Sequence, residues 1–464
     1  MLRFFKLNDP YRLIAVLLVL IGLSLPLFIS SRALTILELK DLVVGESLGN
    51  KILYVQLIDD TPWLAARIDQ WAFFLFGHSL LARQLAALFI LFFQAAYFTV
   101  ILIRYRAYNE SNYLPALIFG IISFFSFDLL ALSPELLAST FLLFALSNLF
   151  QEIEFKIQRE ETVLYVGLYL GMASLFVLSY TVFLPGSLVL LLVYARLSFR
   201  KSLFLIFSFC IPHIILIILY FFYDALPQYF QYFYAQNFFT HAVDYISMKS
   251  LLVLGSVVLM YLVFSLVMLK REAHFTRYQS QLLQVMLGWL ALAGIEVFLT
   301  KNFSPRSFIS FVPPLAYLIS HYLLLIRRKW IAETMLLFFL ILIIAVSSAA
   351  RLKKISQVDY SKLTVPAPAY DSIQGKRIIV LGTDWGLYQT NHPATYFLNW
   401  DLSKEYIENA GIFQHIVLIN ECFEREKPEV IIDESGLMER IFLYNPKLKE
   451  VYLKKERLYW RKSV

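Results

Sequence analysis

Six acidic residues stand between residues 32 and 83: Glu38, Asp41, Glu46, Asp59, Asp60 and Asp69. A carboxylate held against an apolar surface loses hydration, which raises its pKa toward that of a usable general base. Such a base suits removal of a proton from an acceptor hydroxyl. Asp59 and Asp60 also precede Thr61-Pro62. That pair reads as a helix start, with a hydroxyl cap, proline in the first turn and acids at the positive end. The two aspartates are therefore either capping acids or site residues. The helix is expected to stop at Gly77. Its rise of about 22 Å is short of a bilayer. With Arg67 and Asp69 inside it, the helix should lie along an interface, anchored by Trp63 and Trp71. The pattern around Glu38, Asp41 and Glu46 is less decisive.

The rest of the chain must position these acids, and its composition says how. Residues are 59% hydrophobic, 17% aromatic and 16% charged, with a mean hydropathy of +0.65. This excludes an ordinary soluble globular chain. Apolar runs near the length of a bilayer-spanning helix predict about eleven spans, at roughly 12–31, 84–104, 113–131, 134–151, 162–180, 182–197, 202–222, 249–269, 281–300, 307–326 and 331–350. Pro185 and Gly186 interrupt the sixth.

The net charge of +7 does not indicate nucleic acid, because the basic residues fall in short clusters between spans. Arg3, Lys6 and Arg12, then Arg104 and Arg106, Lys156 and Arg159, Arg196, Arg200 and Lys201, Lys270, Arg271 and Arg277, and Arg327, Arg328 and Lys329 all fall on one side. The positive-inside rule makes that side cytoplasmic. It predicts a cytoplasmic N-terminus, a retained first helix serving as anchor, and an extracytoplasmic C-terminal segment. The membrane would be the inner one in a Gram-negative bacterium. Cys210 and Cys422 lie in a span and in the polar tail, so no disulfide is indicated.

Two loops exceed turn length, 32–83 and 223–248. The second is rich in Tyr and Phe, as in a helix at the interface or the wall of a groove. From about 351 the composition changes. RIIVLG (377–382), PEVIID (428–433) and ERLYWRK (456–462) read as strands around a helix-like IFQHIVLINECFER (412–425), which predicts a small α/β domain over 351–464. GTDWG after the first of these lacks the spacing of a dinucleotide loop.

The segment LGNKILYVQLIDDTPWLAARIDQWAFFLFGHSLLARQLAALF resembles the first outer loop of GT-C-type membrane glycosyltransferases, such as protein mannosyltransferases and lipid A aminoarabinose transferases. Gly49, Tyr54, Asp59, Pro62, Phe76, Gly77, Ala82 and Arg83 match the family pattern. SPRSFISFVPPLAYLIS (304–320) and SPELLASTFLLFAL (133–146) are weaker matches to a late span entry and to a glutamate-started span. The resemblance implies a GT-C-like polytopic α-helical fold over 1–350. It implies transfer of a sugar from a polyprenyl-phosphate carrier, with the lipid-linked sugar as substrate and no cofactor.

Family members carry an Asp-Glu pair upstream of the tyrosine, and here those positions are Ile36 and Leu37, with Glu38 adjacent. Glu38 is thus the first candidate for the catalytic acid, followed by Glu46, Asp41 and Asp60. The resemblance further implies that Arg306, with Lys301 nearby, binds the donor phosphate, and a guanidinium fork suits that anion. The alternative is a pair of interfacial cations. Tyr54, Asp59, Asp128 and Glu135 are candidates to line the cavity. Glu135 follows Ser133-Pro134 and reads equally as a helix-start acid. Asp128 and Glu296 are costly if they face lipid, and Glu296 could pair with Lys301. No DxD motif appears, and His213 and His321 lack metal-ligand spacing, so no metal is expected. Loss of the family's acid pair leaves a second expectation open, a non-catalytic GT-C-like scaffold of an envelope assembly that docks a partner protein through 351–464. A transporter would need midplane charges or broken repeated helices, and neither is clear.

Overall fold

The computed structural model describes every residue except 30–33, 156–159, 239–242, 273–274, 367–372 and 463–464. The basic residues Lys156 and Arg159 fall outside the described residues. The chain divides into two compact units. One comprises Met1–Arg32, Ser79–Leu216 and His241–Lys362; the other comprises Ala33–His78, Ile217–Thr240 and Leu363–Val464. The division expected at 350/351 lies at the end of the helix Lys329–Arg351, whereas the two units divide at Lys362 and Leu363, and the second also takes in 33–78 and 217–240.

The chain is a multi-pass helical membrane protein. Among the described residues, six helices are long and apolar enough to cross a membrane, or seven if one bent pair is a single span. They are Leu80–Arg104, Pro134–Glu154, Phe199–Phe222, Arg277–Leu299, Pro305–Leu325 and Lys329–Arg351. The bent pair, Met248–Leu254 with Ser256–Arg271, turns by 64°. Shorter apolar helices cover Arg12–Phe28 and Leu178–Tyr194.

The continuous helix expected over 113–131 is instead a nine-residue helix, Leu114–Ile122, followed by a 3-10 turn, Phe127–Leu130. All nine helical residues are buried, packed against Leu80–Arg104 and Val312–Leu325. At 1.5 Å per residue such a helix covers about 14 Å. Its apolarity reflects burial in protein, which a hydropathy run cannot distinguish from burial in lipid. The expected fifth and sixth spans form the helices Glu160–Phe176 and Phe183–Tyr194, joined by a 3-10 segment, Leu178–Val182, just before Pro185. Two short strands, β1 (Val243–Asp244) and β2 (Asn302–Phe303), pair in parallel in this unit.

In the second unit, the helix Ile36–Leu48 opens on Thr35, whose hydroxyl accepts the Glu38 N–H at 3.2 Å. It packs against the helix Trp63–Phe76. Gly45 permits their close approach, since a Cβ there would stand 2.4 Å from the Asp69 carbonyl oxygen. A five-stranded sheet contains β3 (Arg377–Leu381), β4 (His392–Pro393), β5 (Val430–Asp433), β6 (Tyr452–Lys455) and β7 (Leu458–Arg461) in the order β4-β3-β5-β7-β6. The β3 strand is parallel to β4 and β5, while β7 runs antiparallel to β5 and β6. The first-loop chain is bonded to this domain. The Ile58 N–H donates to the Tyr396 carbonyl at 2.7 Å, and Lys51 Nζ lies 2.8 Å from Glu426 Oε1.

Candidate functional site

Asp59 and Asp60 sit between the two first-loop helices. Asp59 is 3% exposed. Its Oδ2 accepts the Thr61 N–H at 2.9 Å and the Thr61 hydroxyl as well. Thr61 was expected to cap the following helix; instead the N-cap is Pro62, without a side-chain bond, and the threonine is engaged by Asp59 in a local turn. Burial, and then the adjacent Asp60 charge, push the Asp59 carboxyl from 3.8 up to about 6; the Thr61 bonds and the Lys40 cation act the other way. Asp60 Oδ1 accepts from Asn399 Nδ2 at 2.9 Å, and its carbonyl accepts from Asn237 Nδ2 at 3.0 Å.

Tyr54 supports this turn. Its hydroxyl donates to the Thr61 carbonyl at 2.7 Å, and its ring centroid lies 5.6 Å from Tyr220, 6.0 Å from Tyr229 and 6.4 Å from Tyr232. The residue adopts φ +69°, a conformation that a bulky side chain keeps only when its surroundings hold it there. Burial raises its phenol well above the usual value, so it acts as a neutral donor. The result is a buried carboxyl titrating close to neutrality beside a fixed aromatic wall. Such a group can accept a proton from a hydroxyl.

The upstream acids occupy one helix, Ile36–Leu48. Glu38 is buried, Asp41 is half-buried and Glu46 is half-buried. Glu46 is engaged with imidazoles: its Oε1 is 2.6 Å from His392 Nδ1, and its Oε2 is 3.6 Å from His78 Nε2. No local spacing could reveal this grouping, because Glu46 and His392 are 346 residues apart. Lys40 and the tyrosine cluster around Tyr54 were likewise missed by sequence reasoning.

In the first unit, Arg306 lies in the 3-10 segment Pro305–Phe311 and is 2% exposed. Its Nε donates to Asp128 Oδ1 at 3.2 Å. This bond fixes one edge of the guanidinium. Lys301 is half-buried, and its carbonyl accepts the Val243 N–H at 2.7 Å. Glu135 is buried in the first turn of Pro134–Phe155. Glu296, expected as a possible partner of Lys301, accepts hydroxyl bonds from Ser179 at 2.7 Å and Ser310 at 3.2 Å. His213 bonds Ser174 at 2.8 Å, and His321 packs against Tyr108 and Tyr317.

No family model matches the sequence, and no curated protein matches it. Among solved structures, the crystal structure of the Archaeoglobus fulgidus oligosaccharyltransferase in the apo form, a GT-C-type enzyme, matches at 10% identity and a TM-score of 0.48. The match covers 91% of this chain and 69% of that one.

Proposed function

We propose that this chain is a membrane glycosyltransferase of the GT-C type. It moves a sugar from a polyprenyl-phosphate donor to an acceptor hydroxyl at the outer face, with the N-terminus cytoplasmic. The observation that carries this reading is the buried Asp59, held by Thr61 in the turn beside Asp60 and under the Tyr54–Tyr220 aromatic wall; burial and the Asp60 charge raise its carboxyl to about 6. A base of that strength is largely ionised at neutral pH and still draws a proton from a hydroxyl as the acceptor attacks the anomeric carbon. The proton goes to the carboxylate, and the carrier phosphate leaves with the bonding pair. Glu38 and Asp41 on the preceding helix are the next candidates for the base. In the other unit, Arg306, whose Nε donates to Asp128, is the guanidinium that the family resemblance implies for the carrier phosphate, with Lys301 near it in sequence. The matches at Gly49, Tyr54, Pro62 and Gly77 support the same reading.

The test is transfer by the purified full-length protein in nanodiscs from a pool of polyprenyl-phosphate sugars, with Asp59→Asn, Asp60→Asn, Glu38→Gln and Arg306→Lys measured beside it. Loss of the base should lower the rate by about 10²–10⁴-fold. Undiminished transfer in all three acid variants would sink the assignment. The second reading, a non-catalytic scaffold, is favoured by one observation: Glu46, Asp60 and Asp128 each bond another side chain. It predicts no transfer from any donor, and capture of an envelope partner by residues 351–464.

A further inference from the structure

We propose that Glu46, His78 and His392 form a binding site for a divalent transition ion of the zinc class. The carboxylate and the two imidazoles come from three separate segments, and their ligand atoms all lie within 4.8 Å of one another. Glu46 forms the floor, with a side chain 14% exposed, while His78 and His392 stand at the rim at 48% and 47%.

Each ligand is positioned by backbone. Glu46 is in the last turns of Ile36–Leu48. His78 follows Gly77, whose φ of +56° ends the helix Trp63–Phe76 and turns the chain. Its ring meets Phe73 edge-on at 5.2 Å. His392 is in β4, and its N–H donates to the Lys376 carbonyl at 2.8 Å. The two imidazoles are 5.3 Å apart by centroid and inclined at 65°, so they are not stacked.

Two imidazole nitrogens and a carboxylate oxygen are a His₂Glu set, which zinc accepts with a fourth position left to water. Ligand atoms each about 2.0–2.1 Å from a tetrahedral ion stand about 3.3–3.4 Å apart. The separation of 3.6 Å between Glu46 Oε2 and His78 Nε2 already suits this, while His392 Nδ1 stands against the other carboxylate oxygen, Oε1. The Glu46–His392 contact of 2.6 Å would have to open, and the exposed His392 ring leaves room for that. Magnesium and calcium are disfavoured because they require oxygen ligands. A bound ion would tie the end of one first-loop helix and the turn after the other to an edge strand of the sheet.

The test uses full-length protein in detergent, freed of any polyhistidine tag, stripped with chelator and equilibrated with zinc chloride. Bound metal is then counted by mass spectrometry. The expected result is one equivalent per chain. That equivalent should be lost in His78→Ala/His392→Ala and kept in His415→Ala, which lies outside the cluster. Glu46→Gln should weaken binding by at least about tenfold, the loss that even an outer-shell partner produces. Both histidines are half exposed, so thermal melts of the stripped variants should match the stripped parent. No retained zinc, or an equivalent that survives the double substitution, overturns the site and leaves Glu46–His392 as a simple hydrogen bond.

Discussion

Arg306 and Asp128 form an ion pair with Nε–Oδ1 at 3.2 Å and side chains 2% and 0% exposed. Its two members come from two short 3-10 segments, Phe127–Leu130 and Pro305–Phe311. Removing one member strands a charge in a low-dielectric interior, at a cost of about 3–5 kcal/mol. Arg306→Ala and Asp128→Ala should therefore each lower the melting temperature sharply. The double variant Arg306→Leu/Asp128→Leu should recover part of that loss, because the charge that either single change strands across this bond is then removed as well. Additive losses in the double variant would show that the two residues stabilise the protein independently.

Asp59 makes stability depend on pH in a stated direction. Its carboxyl is raised from 3.8 to about 6 in the folded protein. Between those values the folded chain keeps a proton that the unfolded chain has released. Stability is thus full below about 4, falls as pH rises to about 6, and is flat above. The whole change is worth about 3 kcal/mol. Asp59→Asn should flatten the melting temperature across that window. Asp60→Asn removes the second cause of the rise, so the upper edge of the window should move to lower pH while its lower edge stays near 4. If Asp59 is the base, the acidic limb of the rate profile should move down with it.

Gly45 sets how closely the first-loop helices approach. A Cβ at this position would lie 2.4 Å from the Asp69 oxygen and 2.7 Å from its carbonyl carbon, both backbone atoms that cannot rotate away. Gly45→Ala gains helix propensity of roughly 0.8–1 kcal/mol, but must push one helix off the other at a cost of about 1–3 kcal/mol. Net destabilisation is expected, readable as a lowered melting temperature. A rise would show that the two helices can separate freely.

The helix Trp63–Phe76 was legible because its ends carry strong signals, Pro62 before it and Gly77 after it. The helix Ile36–Leu48 was not, because nine of its thirteen residues are buried and no polar stripe marks an amphipathic period. Thr35 followed by Glu38 at the third helical position was the available signal, the pattern of a capping box, and Thr35 does cap this helix. Strands β3, β5 and β7 coincide with short β-branched or aromatic runs bounded by polar residues. The engagement of Glu46 by His78 and His392 is purely tertiary. Three ligands on three segments leave no trace in local spacing.

Cys422 offers a check on the core of the sheet domain. Its thiol is fully buried, and burial pushes its pKa up to about 12, although the Tyr396 N–H donating to Sγ at 3.2 Å acts the other way. At pH 8 only roughly one thiol in 10⁴ would be the reactive thiolate, and the sulfur is also shielded. In a Cys210→Ser background, maleimide should leave the folded protein unlabelled over the time in which a free thiol reacts completely. Labelling should then rise to one equivalent in denaturant. The rate in mild denaturant follows the opening of this core, since Cys422 lies on the buried face of the helix Phe413–Glu426. Fast labelling without denaturant would mean that the buried face of this helix, Ile419, Cys422 and Phe423, opens readily in the folded protein.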